Sequence, residues 1–251
     1  MARKGSRQVV VWIGRLMVVG AVAGLAGAAL AADPPKAEAK AKPKKSAPKK
    51  AQADPTKWKS LFDGKSLKGW KAPQFGGEGK VVVKDGAIVL ERGDMMTGIA
   101  YAGGDFPKMD YEVALEGKRV DGNDFFCTTT FPVGDSFCSF VVGGWGGPVV
   151  GLSSIDFYDA SDNMTTKFKD FKTGQWYKFR IRVTKGKIQT WIDDEKTVDL
   201  ETKGHKISIR FECDPCKPFG IASWCTTGAV RDIRVRALTD AEKKEESGKQ
   251  P

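Results

Sequence analysis

The sequence predicts an all-β fold, a two-sheet antiparallel β-sandwich of the jelly-roll kind, and three observations predict it. Apolar and polar residues alternate with period two in one stretch after another between Val81 and Leu238. Gly, Asn and Asp punctuate those stretches, as in "KDGA", "VDGND" and "TKGH". No convincing amphipathic helix and no βα alternation separates them, so the strands must bury their apolar faces against one another.

The elements follow in order. "WKSLFDGKSLKGWK", Trp58 to Lys71, supplies Leu61, Phe62, Leu67 and Trp70 as packing residues around an Asp63-Gly64 turn. "MDYEVALEG" turns Tyr111, Val113 and Leu115 to one side and Asp110, Glu112 and Glu116 to the other. "WYKFRIRV" repeats this, with Tyr177, Phe179, Ile181 and Val183 inward and Lys178, Arg180 and Arg182 outward. "KIQTWIDD" follows across the Gly-containing turn "TKGK", which predicts a hairpin. "KISIRFE" sets Ile207, Ile209 and Phe211 on one strand face, and "AVRDIRVRAL" closes the set with Val230, Ile233 and Val235.

The flanks read differently. The net charge of +10 is concentrated in them: residues 1–32 carry +4 and residues 33–57 carry +5, which leaves +1 for everything from Trp58 onward. A nearly neutral domain makes no case for phosphate-backbone recognition, so nucleic acid is excluded as a partner. Residues 1–32 have the form of a signal peptide: a cationic start, an apolar run from Leu16 to Leu30, and small residues before a cut near Ala31 or Ala32. Arg15, which cuts the apolar run off from Val9–Ile13, and the Lys-rich segment beyond it speak against a retained anchor. The expected localisation is therefore exported, periplasmic or extracellular. Residues 33–57, rich in Lys, Pro and Ala, hold no large apolar residue and form a solvated linker that could touch an anionic cell-envelope surface. The domain then spans 58–238, and 239–251 is a charged, solvated tail.

Five cysteines, Cys127, Cys138, Cys213, Cys216 and Cys225, leave at least one thiol without an intramolecular partner. "FFCTTTF" and "SFCSF" place Cys127 and Cys138 on neighbouring strands, while "CDPC" has metal-site spacing that His205 and Cys225 could complete. With a single C-x-x-C, a bridge or buried thiols fit an exported chain better than zinc.

The order "LFDGKSLKGW", "VKDGAIVLERG", "DYEVALEGKRVDGND", "GQWYKFRIRVTKGKIQTWIDD", "PFGIASW" and "AVRDIRVRAL" resembles the 3-keto-disaccharide hydrolase domain, a family built on a concanavalin-like jelly roll. The resemblance covers Trp58 to Leu238 and implies a saccharide partner and cleavage of 3-keto-glycosides. In two middle segments, "GNDFFCTTTFP" and "SFCSFVVGGWGGPVVG", the chain departs from the family's usual acidic and aromatic pattern. A non-catalytic carbohydrate-binding or cell-surface module on the same fold is the alternative.

Cleaving a 3-keto-glycoside needs a base for an acidified C–H proton, positive charge at the enolate oxygen and an acid for the leaving group. Asp156 and Tyr158 in "SSIDFYDAS" would share a strand face, with Asp159 beside them, so Asp156 is the candidate base or acid and Tyr158 its neighbour. Trp145, between Gly pairs in "VVGGWGGPVVG", is the candidate stacking residue. Arg180 is the candidate cation, and Glu112 and Trp191 would join it in a groove if their sheet were the concave one; otherwise they form a cross-strand ladder. Asp121 and Asp124, with Asn123, are the candidate ligands for a divalent metal such as calcium, although no cofactor is required. His205 reads as a solvated turn residue without a partner.

Overall fold

The computed structural model describes residues 54–247. The expected export signal at 1–32, and the linker as far as residue 53, lie outside the described residues. Among the described residues fifteen strands follow one another: β1 Lys59–Ser60, β2 Trp70–Lys71, β3 Val81–Lys84, β4 Ala87–Leu90, β5 Met96–Tyr101, β6 Tyr111–Asp121, β7 Thr128–Val133, β8 Ser136–Gly144, β9 Val149–Ser153, β10 Lys167–Phe168, β11 Trp176–Val183, β12 Lys187–Ile192, β13 Glu195–Glu201, β14 Gly220–Trp224 and β15 Thr227–Ala237. They form two antiparallel sheets, as the alternation predicts. One sheet has the order β13-β12-β11-β6-β15-β4-β3, with β1 added against β15; the other runs β10-β9-β8-β7-β14-β5-β2.

The core lies between the sheets. Tyr111, Val113, Leu115, Phe179, Ile181 and Val230 come from the eight-stranded sheet, and Ile99, Phe131, Phe140, Val142, Leu152 and Ile221 from the other. Leu61, Phe62 and Trp70 of the opening stretch belong to the same core, with Leu67 packed against it. The Trp70 indole N–H donates to the Leu61 carbonyl at 2.8 Å, and the Asp63 carboxylate accepts the amides of Lys65 and Ser66, closing the turn. β11 and β12 pair as the expected hairpin, with Phe179 opposite Ile192.

Two elements differ from the sequence reading. "KISIRFE" is not a strand: Ile207 makes one isolated bridge to Ile155, and Phe211 opens a 3₁₀ helix, Phe211–Cys216, with its ring 77% exposed. Ser208 and Ser154 exchange backbone hydrogen bonds at 3.0 and 2.7 Å and the Lys206 carbonyl accepts the Asp156 amide at 2.8 Å, after which the chain winds into the 3₁₀ helix and the pairing ends. The charged C-terminal segment begins as a helix, α1 Asp240–Ser247, which the periodicity gave no reason to expect because it has no apolar face. Its fixed point is Glu242. The carboxylate accepts the Thr239 amide at 2.8 Å while the Glu242 amide reaches the Thr239 hydroxyl at 3.3 Å, a reciprocal N-terminal cap.

The five cysteines are free thiols. Cys127 and Cys138 both lie in the main core, while Cys213 and Cys216 share a smaller apolar cluster with Met96 and Ala222. Cys225 stands apart and donates to the Asp94 carbonyl at 3.2 Å.

Candidate functional site

The two faces of the seven-stranded sheet differ in side-chain size. In register across it, Ile99, Ile221, Thr129, Phe140 and Leu152 form one row turned to the core. The next row is Ala100, Gly220, Thr130, Ser139 and Ser153, turned outward. Small residues on that outer face leave room above the sheet, and the loops around it turn the room into a cleft of about 260 Å³. Thr128, Ser139 and Ser153 contribute to its floor. The Thr128 hydroxyl is buried and has no hydrogen-bond partner among the described residues.

Three aromatic residues line the cleft: Phe125 before β7, Trp224 at the end of β14, and Trp145 on the β8–β9 loop. The Phe125 and Trp224 rings lie 6.2 Å apart, and the Trp224 amide donates to the Phe125 carbonyl. Trp145 is 45% exposed and its backbone is left-handed, with φ of 49°. A bulky residue holds that conformation only when its surroundings fix it. Asp124 fixes one side: its carboxylate accepts the Phe125 amide at 2.7 Å and the Gly146 amide at 3.0 Å, pinning the loop beside Trp145.

The charged wall comes from the segment leading into the 3₁₀ helix. Arg210 donates through Nε and Nη2 to Glu212, at 3.2 and 2.7 Å, and through Nη1 to Asp159. The Asp159 carboxylate also accepts the hydroxyls of Ser153 and Ser154, at 3.2 and 3.3 Å. The Arg210 hydrogen bonds hold the Glu212 carboxyl below the usual range, and Glu212 in turn raises the already high pKa of Arg210. Cys213 lines the cleft beside them, its thiol pushed up by burial and therefore held protonated.

The sequence-predicted residues separate into three places. Trp145 and Asp124 line the cleft, and Asp159 joins its wall through Arg210. Asp156 and Tyr158 do not line it. They do not share a strand face either, because the chain turns between Ile155 and Tyr158, which bridge each other, and Asp156 and Phe157 take left-handed backbone. Asp156 is engaged instead by His205, at 2.7 Å from Nδ1, and by the Lys206 amide at 2.7 Å. Those bonds, the amide first and His205 second, lower its pKa. His205 thus has a partner that sequence spacing could not reveal.

Glu112, Arg180 and Trp191 sit on the outer face of the other sheet, remote in topology from the cleft. The Arg180 guanidinium lies 3.8 Å from the Trp191 ring centroid. Buried Glu112 accepts Arg182 Nε at 2.7 Å and pairs with Arg236 at 3.4 Å and Arg180 at 3.6 Å. This is the cross-strand ladder of the alternative reading. Asp121 is exposed at the end of β6, and no group of three or more His, Cys, Asp or Glu able to hold a metal ion is assembled among the described residues.

The model of the 3-keto-alpha-glucoside-1,2-lyase-like domain matches residues 57–236. The chain belongs to this family. No curated protein matches the chain. Among solved structures, the lyase-like domain is similar to the apo Crh5 transglycosylase, at 14% identity and a TM-score of 0.51 over 74% of this chain and 86% of that one. It is also similar to the carbohydrate binding module CBM66 from Bacillus subtilis, at 10% identity and 0.47 over 67% and 96%. Domain 4 of the arabinanase AbnA from Geobacillus stearothermophilus gives 19% and 0.45 over 70% and 86%. At 14% identity the likeness to the transglycosylase is one of fold. The family makes the lyase-like domain a carbohydrate-active one, and its jelly roll is the fold the strands predict.

Arg210, Glu212, Phe125, Thr128 and Trp224 are the cleft residues that sequence reasoning passed over. One signal was present in "TTT", "SFCSF" and "SS", where hydroxyl residues recur at the positions that alternate with the core.

Proposed function

We propose that the cleft binds a saccharide and that the domain cleaves a 3-keto-glycoside there by elimination. The observation that carries this reading is the meeting of an exposed tryptophan, a guanidinium and a carboxylate around one cleft floored by small hydroxyl residues. Sugar rings present an apolar face to an aromatic platform and hydroxyls to polar groups. Crh5, of the same fold, has been solved in complex with NAG.

The family description names the bonds concerned. A ketone at C3 acidifies the C2 proton. A base takes that proton, the C–H electron pair becomes the enolate, and the C1–O bond then breaks as the leaving oxygen gains a proton. Glu212, ionised through its bonds to Arg210, is the group in the cleft able to accept the C2 proton and to return it to the leaving oxygen. Arg210 uses three of its five N–H groups on Glu212 and Asp159, and the remaining two can meet the enolate oxygen. Trp145 supports the ring.

A second reading, saccharide binding without catalysis, is favoured by one observation: the carboxylates at the cleft already accept donors, Asp124 from backbone amides and Asp159 and Glu212 from Arg210. Turnover of 3-keto-disaccharides decides between them. Under the first reading wild type turns substrate over and Glu212→Gln loses ~10²-fold or more. Binding with no wild-type turnover establishes the second.

Export completes the proposal, on the cationic start, apolar run and small residues of 1–32, with the Lys-rich linker against an anionic envelope surface. N-terminal sequencing of native protein should begin near Ala32 or Asp33; a retained Met1 or Ala2 would refute it.

A further inference from the structure

We propose that Arg119, which touches no cleft surface, is the positioning residue that sets Trp145 in the saccharide site; the functional part of this inference rests on the saccharide reading above. Arg119 lies near the end of β6 and is 6% exposed, an unusual place for a guanidinium. Its side chain passes beneath the β8–β9 loop. Nη2 donates to the carbonyls of Gly143 and Gly147, at 3.3 and 3.2 Å, and these two residues flank Trp145 on either side. Nη1 donates to the Phe171 carbonyl at 3.4 Å, tying the loop to the segment before β11. The Nε–H has no hydrogen-bond partner among the described residues, and the guanidinium lies 5.1 Å from the centroid of the Phe126 ring and 6.0 Å from that of Phe171. Burial lowers the Arg119 pKa, with the Asp124 charge opposing that shift.

Burying this cation carries a penalty, and the core offers no reason to accept it. The geometry of the loop does. Gly143, Gly146 and Gly147 all have positive φ, so the loop has no conformational preference of its own that would hold Trp145 at φ 49°. Two carbonyls drawn to one planar fork fix the separation and orientation of the residues on either side of the indole. Asp124 supplies the complementary hold, from the amide of Gly146. A Cβ at Gly143 would stand 2.5 Å from Arg119 Nη2, so a side chain there would push the guanidinium out of this contact. A lysine keeps the buried charge and cannot reproduce the fork.

The test uses the full chain with Arg119→Lys, Arg119→Gln and Trp145→Ala, followed first by amide hydrogen exchange. Positioning predicts that both Arg119 variants keep cooperative thermal unfolding while the Gly146 and Gly147 amides exchange at least tenfold faster than in wild type. Unchanged exchange at these amides in both variants overturns the proposal whether or not any saccharide binds. If Arg119→Gln fails to fold, Arg119→Lys alone decides. The second readout is affinity for a 3-keto-disaccharide. Arg119→Lys should weaken it about as much as Trp145→Ala does, and the double variant should be no weaker than Trp145→Ala alone. Additive losses would show that Arg119 acts by another route and would overturn the positioning role. Wild type that binds no saccharide would defeat the functional reading and leave the exchange result to judge Arg119.

Discussion

Glu242→Gln tests whether α1 is anchored by charge, and the structure fixes both its size and its pH dependence. Glu242 Oε1 accepts Arg236 Nη2 at 2.6 Å and Arg182 Nη2 at 3.5 Å. Oε2 accepts Arg236 Nη1 at 2.9 Å together with the amide and hydroxyl of Thr239. The Arg236 bonds are the first cause of a pKa lowered from 4.5 to about 2. Taken at face value, that shift corresponds to about 3.4 kcal/mol of stability at neutral pH. The side chain is 23% exposed and the cluster is partly screened by water, so about 1–2 kcal/mol is the expected loss in the variant. The sign follows from the direction of the shift. A carboxyl whose folded pKa lies below its unfolded value contributes fully above the unfolded pKa, here 4.5, and loses that contribution as pH falls toward about 2. Urea unfolding of wild type and variant at pH 7 and again at pH 3 is the assay. The gap between them should shrink to roughly half or less at pH 3. A gap that stays constant, or widens on acidification, would refute the argument.

Two further outcomes follow from the core and the cleft floor. Trp70→Ala removes a 7% exposed indole whose ring meets Tyr101 at 5.5 Å and Phe219 at 6.0 Å, and should destabilise by roughly 3–5 kcal/mol in chemical denaturation. A mild effect would mean that the opening stretch does not pack as described. Thr128→Val replaces a buried, unpartnered hydroxyl by a methyl group and should raise stability by about 1 kcal/mol. The Tm should rise by about 2–4 °C in thermal unfolding, and a fall would mean that the hydroxyl has a partner.

Most of the sandwich was legible because period-two alternation is a local property, and each of β6, β11, β12 and β15 carries it within its own residues. The misreading at "KISIRFE" shows the limit of that property. Alternation reports which way side chains would face if the segment were paired, and here the pairing with residues 154–156 ends at Ser208 and the chain goes on into a 3₁₀ helix. Arg210 and Glu212, the charged wall of the cleft, lie in this same segment. Helix α1 left a different trace: Thr239 three residues before Glu242 is a capping signature, legible without any apolar periodicity. Trp145 was legible because glycine on both sides of a tryptophan is a local signal. The Asp156–His205 bond was not, since 49 residues separate its partners and only the Ile155–Ile207 pairing brings them together. Arg119 is the same case, with its acceptors 24, 28 and 52 residues away.

Why the cleft stands on one sheet and not the other comes down to side-chain size. On the eight-stranded sheet the outer face carries long charged residues and tryptophans that satisfy one another. Arg180 covers Trp191, Arg231 lies 4.0 Å from the Trp176 ring centroid, and Glu112 collects guanidinium groups from both sides. Such a face is filled, because its long side chains lie over one another. The seven-stranded sheet presents Ala, Gly, Thr and Ser at the corresponding positions, which cannot fill the space above them. The volume left open is bounded by groups brought in from loops, and those loops are held by charges at their bases: Arg119 and Asp124 under Trp145, and Asp159 beside Arg210. The proposed site therefore rests on two things in the sequence, small residues on alternate positions of one sheet and charged side chains that hold the loops walling it. Only the first of these is a local pattern.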